Sequence, residues 1–173
     1  MSVILSFLLI HWYLSVFAQS FFLHRYMAHR MFRMNAFWEK FFYFFTFVTQ
    51  GSSFLHPKAY AQLHLEHHKH SDTEEDPHSP LFFRDVIAMM VNTAKVYTEF
   101  RMGNRKSGST YIENLPTWKV LDTFANSFLS RISFCALYTW AYVVFAPSWH
   151  WFLLLPIHFL MGPIHGAFVN WCG

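Results

Sequence analysis

A chain of 173 residues that is 54% apolar, 21% aromatic and only 13% charged carries roughly half the charge of an ordinary soluble domain. Intrinsic disorder is excluded, because too few polar groups are present to keep an open chain solvated, and a net charge of +3 without a compact basic stripe excludes a nucleic-acid partner. Two cysteines, Cys135 and Cys172, lie in apolar stretches and give no disulfide framework, whereas 12 histidines point to a histidine-based site.

In chain order, the first element is the apolar segment 3–23, long enough to cross a bilayer as a helix. It has no basic leading region and no small-residue cleavage site, so it reads as a span rather than a signal peptide. All 13 basic residues fall between Arg25 and Arg131, and all 10 acidic ones between Glu39 and Asp122. The positive-inside rule then makes 25–131 a cytosolic region. Within it, 36–55 is rich in Phe, with Trp38 and Tyr43, and reads as an interfacial helix. Tyr26, Trp38 and Trp118 read as interfacial anchors, 81–94 as a helix and 103–110 as a loop. Trp118, Leu121, Phe124 and Phe128 repeat at helical spacing and feed a second span, about 131–146. Pro147 separates it from a third, about 150–169. The expected fold class is an all-α integral membrane helical bundle with a cytosolic helical cap. The chain, 1–173, is a single domain by length.

Two histidine groups mark the cap. His24 and His29 follow the first span, five residues apart, a weak pattern alone. His64, His67 and His68 form HxxHH. At about 100° per residue they share a helix arc of about 100°, and imidazoles converging in this way suit Fe, Zn, Cu or Ni. Metal-bound histidine usually donates its second N–H to a carboxylate, so Asp72, Glu75 and Asp76 are candidate acceptors for them, against the plainer reading of a charged loop. Because both groups must reach one site, 36–55 is not expected to cross.

The runs Phe21–Phe32 (with His24 and His29), Gln62–Asp72 (with His64, His67 and His68) and Asp76-Pro77-His78 resemble the membrane fatty acid desaturases, in particular the bacterial acyl-CoA desaturases related to stearoyl-CoA desaturase. The tail around Asn170 resembles the last span of that family. The resemblance implies metal ligands at His24, His29, His64, His67 and His68, with Asn170 as a weaker contributor. It also implies two Fe ions, O2 as co-substrate, a fatty acyl substrate given a cis double bond, and a cytochrome b5-like or ferredoxin-like electron donor. The family carries a third box, HxxHH, that is not found in these 173 residues. The chain is therefore expected to be a partial domain, inactive alone. Arg101, Arg105 and Lys106 are candidate contacts for CoA phosphates or an acidic partner, beside the simpler reading of headgroup-facing cations. The rivals are a related histidine-box hydroxylase or monooxygenase, and a non-enzymatic membrane metal-binding protein. The latter would line its spans with ionisable residues, for which His11, His158 and His165 show no spacing motif.

Overall fold

The computed structural model describes residues 2–105 and 114–172. All regular structure among them is helical. The elements are α1 (Val3–Phe17), a π-helical continuation (Ala18–Ala28), α2 (Ala36–Gln50), a 3-10 turn (Gly51–Ser53), α3 (Pro57–His70), a second 3-10 turn (Pro80–Phe82), α4 (Val86–Met102), α5 (Lys119–Ala125), α6 (Phe128–Phe145), a 3-10 segment (Trp149–Leu154), α7 (Leu155–Phe159) and α8 (Met161–Cys172). Val3–Ala28 and Phe128–Phe145 are long and apolar enough to cross a membrane. Trp149–Phe159 and Met161–Cys172 would make a third span only as a pair bent by 74°.

Local chemistry explains where the helices begin and end. The Asn35 side chain accepts the Trp38 amide and starts α2. Gly51, at φ +52°, ends it after 15 residues, fewer than the roughly 20 a crossing requires. His56 caps α3 by accepting the Ala59 amide at Nδ1, with Pro57 in the first turn. Asp85 caps α4. That helix therefore starts at Val86 and runs to Met102, later than the apolar pattern from Leu81 suggests. Ser127 caps α6 and separates it from α5, which breaks the continuous helix expected from Trp118 into the second span.

The third expected span, about 150–169, is not one straight helix. It breaks at Leu160, with Pro156 at the start of α7 and Pro163 in the first turn of α8. Two serines of the Gly51–Ser53 turn satisfy the backbone groups this break frees. Ser52 Oγ donates to Phe159 O at 2.9 Å, and Ser53 Oγ accepts the Gly162 amide at 3.1 Å. Buried irregular backbone in an apolar bundle persists only with such partners. The turn itself sits so close to α6 that a Cβ on Gly51 would lie 1.8 Å from the Tyr138 hydroxyl.

The core has three parts. The π segment packs Phe22, Leu23 and Met27 against Tyr43 and Phe47 of α2, with Ala61 of α3 and Leu121 of α5. Ile4 of α1 meets Tyr138 and Tyr142 of α6. Ala59 and Leu63 of α3 pack on Val96 and Phe100 of α4. Tyr26 belongs to the first core: it is buried, and its hydroxyl donates to Glu39, which removes it from the expected interfacial anchors.

Candidate metal centre

The winding of the first helix changes where the first histidines appear. Residues five apart on an α-helix diverge, but the wider i→i+5 winding turns them back toward one face. The His29 amide closes such a turn on His24 O at 3.0 Å. Their side chains therefore meet, Nε2 to Nε2, at 3.1 Å. From α3, His64 Nε2 lies 2.9 Å from that of His29 and 2.9 Å from that of His68, one helical turn on. The four imidazoles converge so that one nitrogen from each falls within 4.8 Å of the others. His24 and His64 are half-buried, and His29 and His68 are exposed.

His67 lies on the same helix but turns aside. Its Nδ1 is 2.9 and 2.8 Å from the two oxygens of Asp76. With His78 these make a second group, also within 4.8 Å. Asp76 is buried and accepts the backbone amides of Asp72 at 3.2 Å and His78 at 3.0 Å. Burial alone would raise the Asp76 carboxyl, but the hydrogen bonds from the His78 amide, the His67 ring and the Asp72 amide together hold it below its ordinary value. An ionised carboxylate only accepts, so the proton sits on His67 Nδ1 and the Nε2 lone pair is left free.

The electrostatics favour the neutral form of His24, His64, His68 and His78. Burial first, then the neighbouring imidazoles of His24, His68, His29 and His67, lowers His64 to about 2. Burial and the His67 ring lower His78 to about 4, against a smaller pull from Asp76. His68 is lowered by burial and by His29 and His67. Neutral imidazole is the form that binds metal. His78 Nδ1 is buried and has no hydrogen-bond partner among the described residues, as expected of a donor that serves an ion. Four imidazoles in one group, and two with a carboxylate in the other, fit a borderline transition metal rather than Mg or Ca.

The remaining sequence candidates fall as follows. Asp72 Oδ1 accepts from Ser79, and Glu75 pairs with His70, which belongs to neither group. Of the three acidic candidates, only Asp76 touches a box histidine. Asn170, from α8, lines the cavity described below. Arg105 pairs with Glu66 at 2.7 Å and faces Glu99 at 3.8 Å, Arg101 is exposed, and Lys106 lies outside the described residues.

A cavity of about 450 Å³ opens beside the histidines. Its wall is mostly apolar and includes Phe54, Leu55, Leu63, Phe159, Leu160 and Val169, together with His24, His64 and His78 from the two groups. Two features left no sequence signal. His11 and His158, 147 residues apart, meet inside the bundle with Nδ1 atoms 2.8 Å apart. Asp122 of α5 accepts the Tyr43 hydroxyl at 2.7 Å and faces His56 Nε2 at 3.5 Å, tying α2 and α5 to the cap of α3.

Together these define a class: an all-helical protein with two helices able to cross a membrane and two candidate metal-holding groups at the wall of an apolar cavity. Comparison with known proteins adds no name, since no family model, no curated protein and no solved structure matches the chain.

Proposed function

We propose that this protein is a membrane-embedded, histidine-liganded oxidoreductase of the fatty acid desaturase type, acting on an acyl chain in lipid metabolism. One observation carries the reading: histidines of both groups, His24, His64 and His78, form part of the wall of an apolar cavity of about 450 Å³. This volume lies in the usual range for ligand sites. His24, His29, His64 and His68 would hold one iron. His67 and His78, with Asp76, would hold or orient the second. Iron bound there would supply the oxidising power, drawn from O2, that no side chain offers toward an unactivated C–H bond.

The chain's own residues do the rest. Asp76 fixes the His67 ring and its tautomer. Burial keeps His64 and His78 unprotonated and ready to ligate. The apolar wall holds a hydrocarbon next to the histidines and keeps water from it. The exposed edges of His29 and His68 leave the group open to solvent on one side, where an electron donor of the cytochrome b5 or ferredoxin type would approach. The confinement of all 13 basic residues to 25–131 supports a cytosolic position for that side.

The test is elemental analysis of the purified protein together with analysis of acyl products after supplying a saturated acyl-CoA or acyl lipid, O2 and an electron donor. Iron with a cis-unsaturated product is expected. A hydroxylated product would favour the related monooxygenases. Zinc or copper without any oxidised product would favour the second reading, a membrane metal-binding protein. For that rival, the His11–His158 pair inside the bundle is the favouring observation, because ionisable groups there are costly unless used.

A further inference from the structure

Two polar side chains sit unpaired in the wall of the cavity. Gln19 lines it from the π segment, and His165 lines it from α8. Gln19 is only 5% exposed. Its Oε1 is buried with no hydrogen-bond partner among the described residues, and so is His165 Nδ1. α8 passes directly against the Gln19 amide: a Cβ on Gly166, the residue after His165, would lie 3.9 Å from Gln19 Nε2. Both groups are held in place from behind. The Tyr60 hydroxyl of α3 faces the Gln19 amide, and Trp12 of α1 meets the His165 ring edge-on, with centroids 6.4 Å apart. Gln19 also stands five residues before His24 in the π segment, so the wide winding turns it toward the face that carries His24.

A plain hydrocarbon laid along this wall leaves both atoms unpaired, each at the cost of a missing hydrogen bond. Gln19 Oε1 needs a donor. His165 Nδ1 donates when it carries the ring proton. A carbonyl only accepts, so it serves His165 and leaves Gln19 as it was. An ammonium only donates, and its charge is costly against apolar side chains. A hydroxyl donates one bond and accepts another, which is the pair of bonds missing here.

We propose that Gln19 and His165 form a hydroxyl-binding pair in the cavity wall, and that the ligand of this cavity is an esterified acyl chain with a hydroxyl group along its length. The hydroxyl donates to Gln19 Oε1 and accepts from His165 Nδ1, while the methylenes lie along Leu55, Phe159 and Leu160. The assignment rests on the acyl-chain reading above and narrows its substrate class. The bound hydroxyl stops the chain from sliding, and so sets which carbon lies beside His24 and His64. Gln19 and His165 fix this register and take no part in any bond change.

The test needs neither metal nor turnover. Displacement of a bound fluorescent acyl-CoA from the full chain in nanodiscs is measured with palmitoyl-CoA and with a series of hydroxypalmitoyl-CoAs, the hydroxyl moved carbon by carbon. One position is expected to bind about 10- to 100-fold more tightly than palmitoyl-CoA, the range of recovered buried hydrogen bonds. Distant positions should bind more weakly than palmitoyl-CoA, because their hydroxyl meets an apolar wall. Gln19→Leu should abolish the gain at the favoured position, and palmitoyl-CoA should still bind. His165→Phe, on a different helix, should reduce the gain and keeps the assignment testable where Gln19→Leu does not fold. A water trapped between Gln19 and His165 would satisfy the same atoms; no hydroxylated chain would then bind more tightly than palmitoyl-CoA, and the assignment falls. A gain that survives both substitutions would overturn it too, because the hydroxyl would be held elsewhere. So would an equal loss of all the chains in both variants, which would leave Gln19 and His165 as packing only. Failure of every acyl probe to bind wild type would reject the cavity reading itself. A positional preference without iron or product would reject only the oxidation chemistry.

Discussion

At the residue scale, His67 and His64 show how one helix serves two groups. Three residues apart on α3, they face different partners, and the carboxylate of Asp76 decides which way His67 turns. Replacing Asp76 by Asn keeps the shape and removes the charge that fixes the ring. The metal content of Asp76→Asn, titrated against a graded chelator, should show affinity about 10- to 100-fold weaker. Glu75→Gln should not change it, since Glu75 pairs with His70. The lowered pKa values of His64 and His78 have a consequence for stability. In the unfolded chain both titrate near the ordinary 6.5; folded, they stay neutral down to about 2 and about 4. Below about pH 6.5 the unfolded state therefore binds more protons, and stability falls as the pH drops toward 4. Chelator-treated protein should melt at a lower temperature at pH 5 than at pH 7.5, and His78→Asn should flatten that slope. A pH-independent melting temperature would contradict the neutral-imidazole description.

At the element scale, the sequence announces what is local and periodic. The HxxHH spacing places His64 and His68 on one helix face, and the structure puts them 2.9 Å apart. The five-residue spacing of His24 and His29 is harder to read, because it becomes a shared face only through π winding, which composition does not signal. The break at Leu160 is foreshadowed by Pro156 and Pro163, but the serines that satisfy it come from more than 100 residues earlier in the chain. Gly51 looks like an ordinary helix stop, and its closeness to Tyr138 is a tertiary fact. Gly51→Ala should cost about 1–3 kcal/mol for the φ +52° backbone and a similar amount for the clash. Thermal melting of Gly51→Ala with Tyr138→Phe should recover only the second part. Ser53→Ala leaves the Gly162 amide without its partner and should destabilise by about 1–3 kcal/mol, the cost of one unpaired buried donor.

At the scale of the whole molecule, charge patterning makes the outline legible: two stretches without formal side-chain charge flank a charged middle, and the helices long enough to cross lie at Val3–Ala28 and Phe128–Phe145. The meeting of His11 with His158 is not legible, because a contact between residues 147 apart leaves no mark in either neighbourhood. The topology is tested with Ser71→Cys, at the end of α3, and Ser148→Cys, between α6 and α7. A membrane-impermeant thiol reagent added to intact cells should label position 148 and spare 71 until the cells are opened. Labelling of both from outside would remove the bilayer from between them. The 74° bend between α7 and α8 is a corner braced from elsewhere in the chain: Ser52 holds one limb and Ser53 the other. Loss of either hydroxyl should loosen both limbs together, read as faster amide exchange over 155–162 than in the wild-type chain.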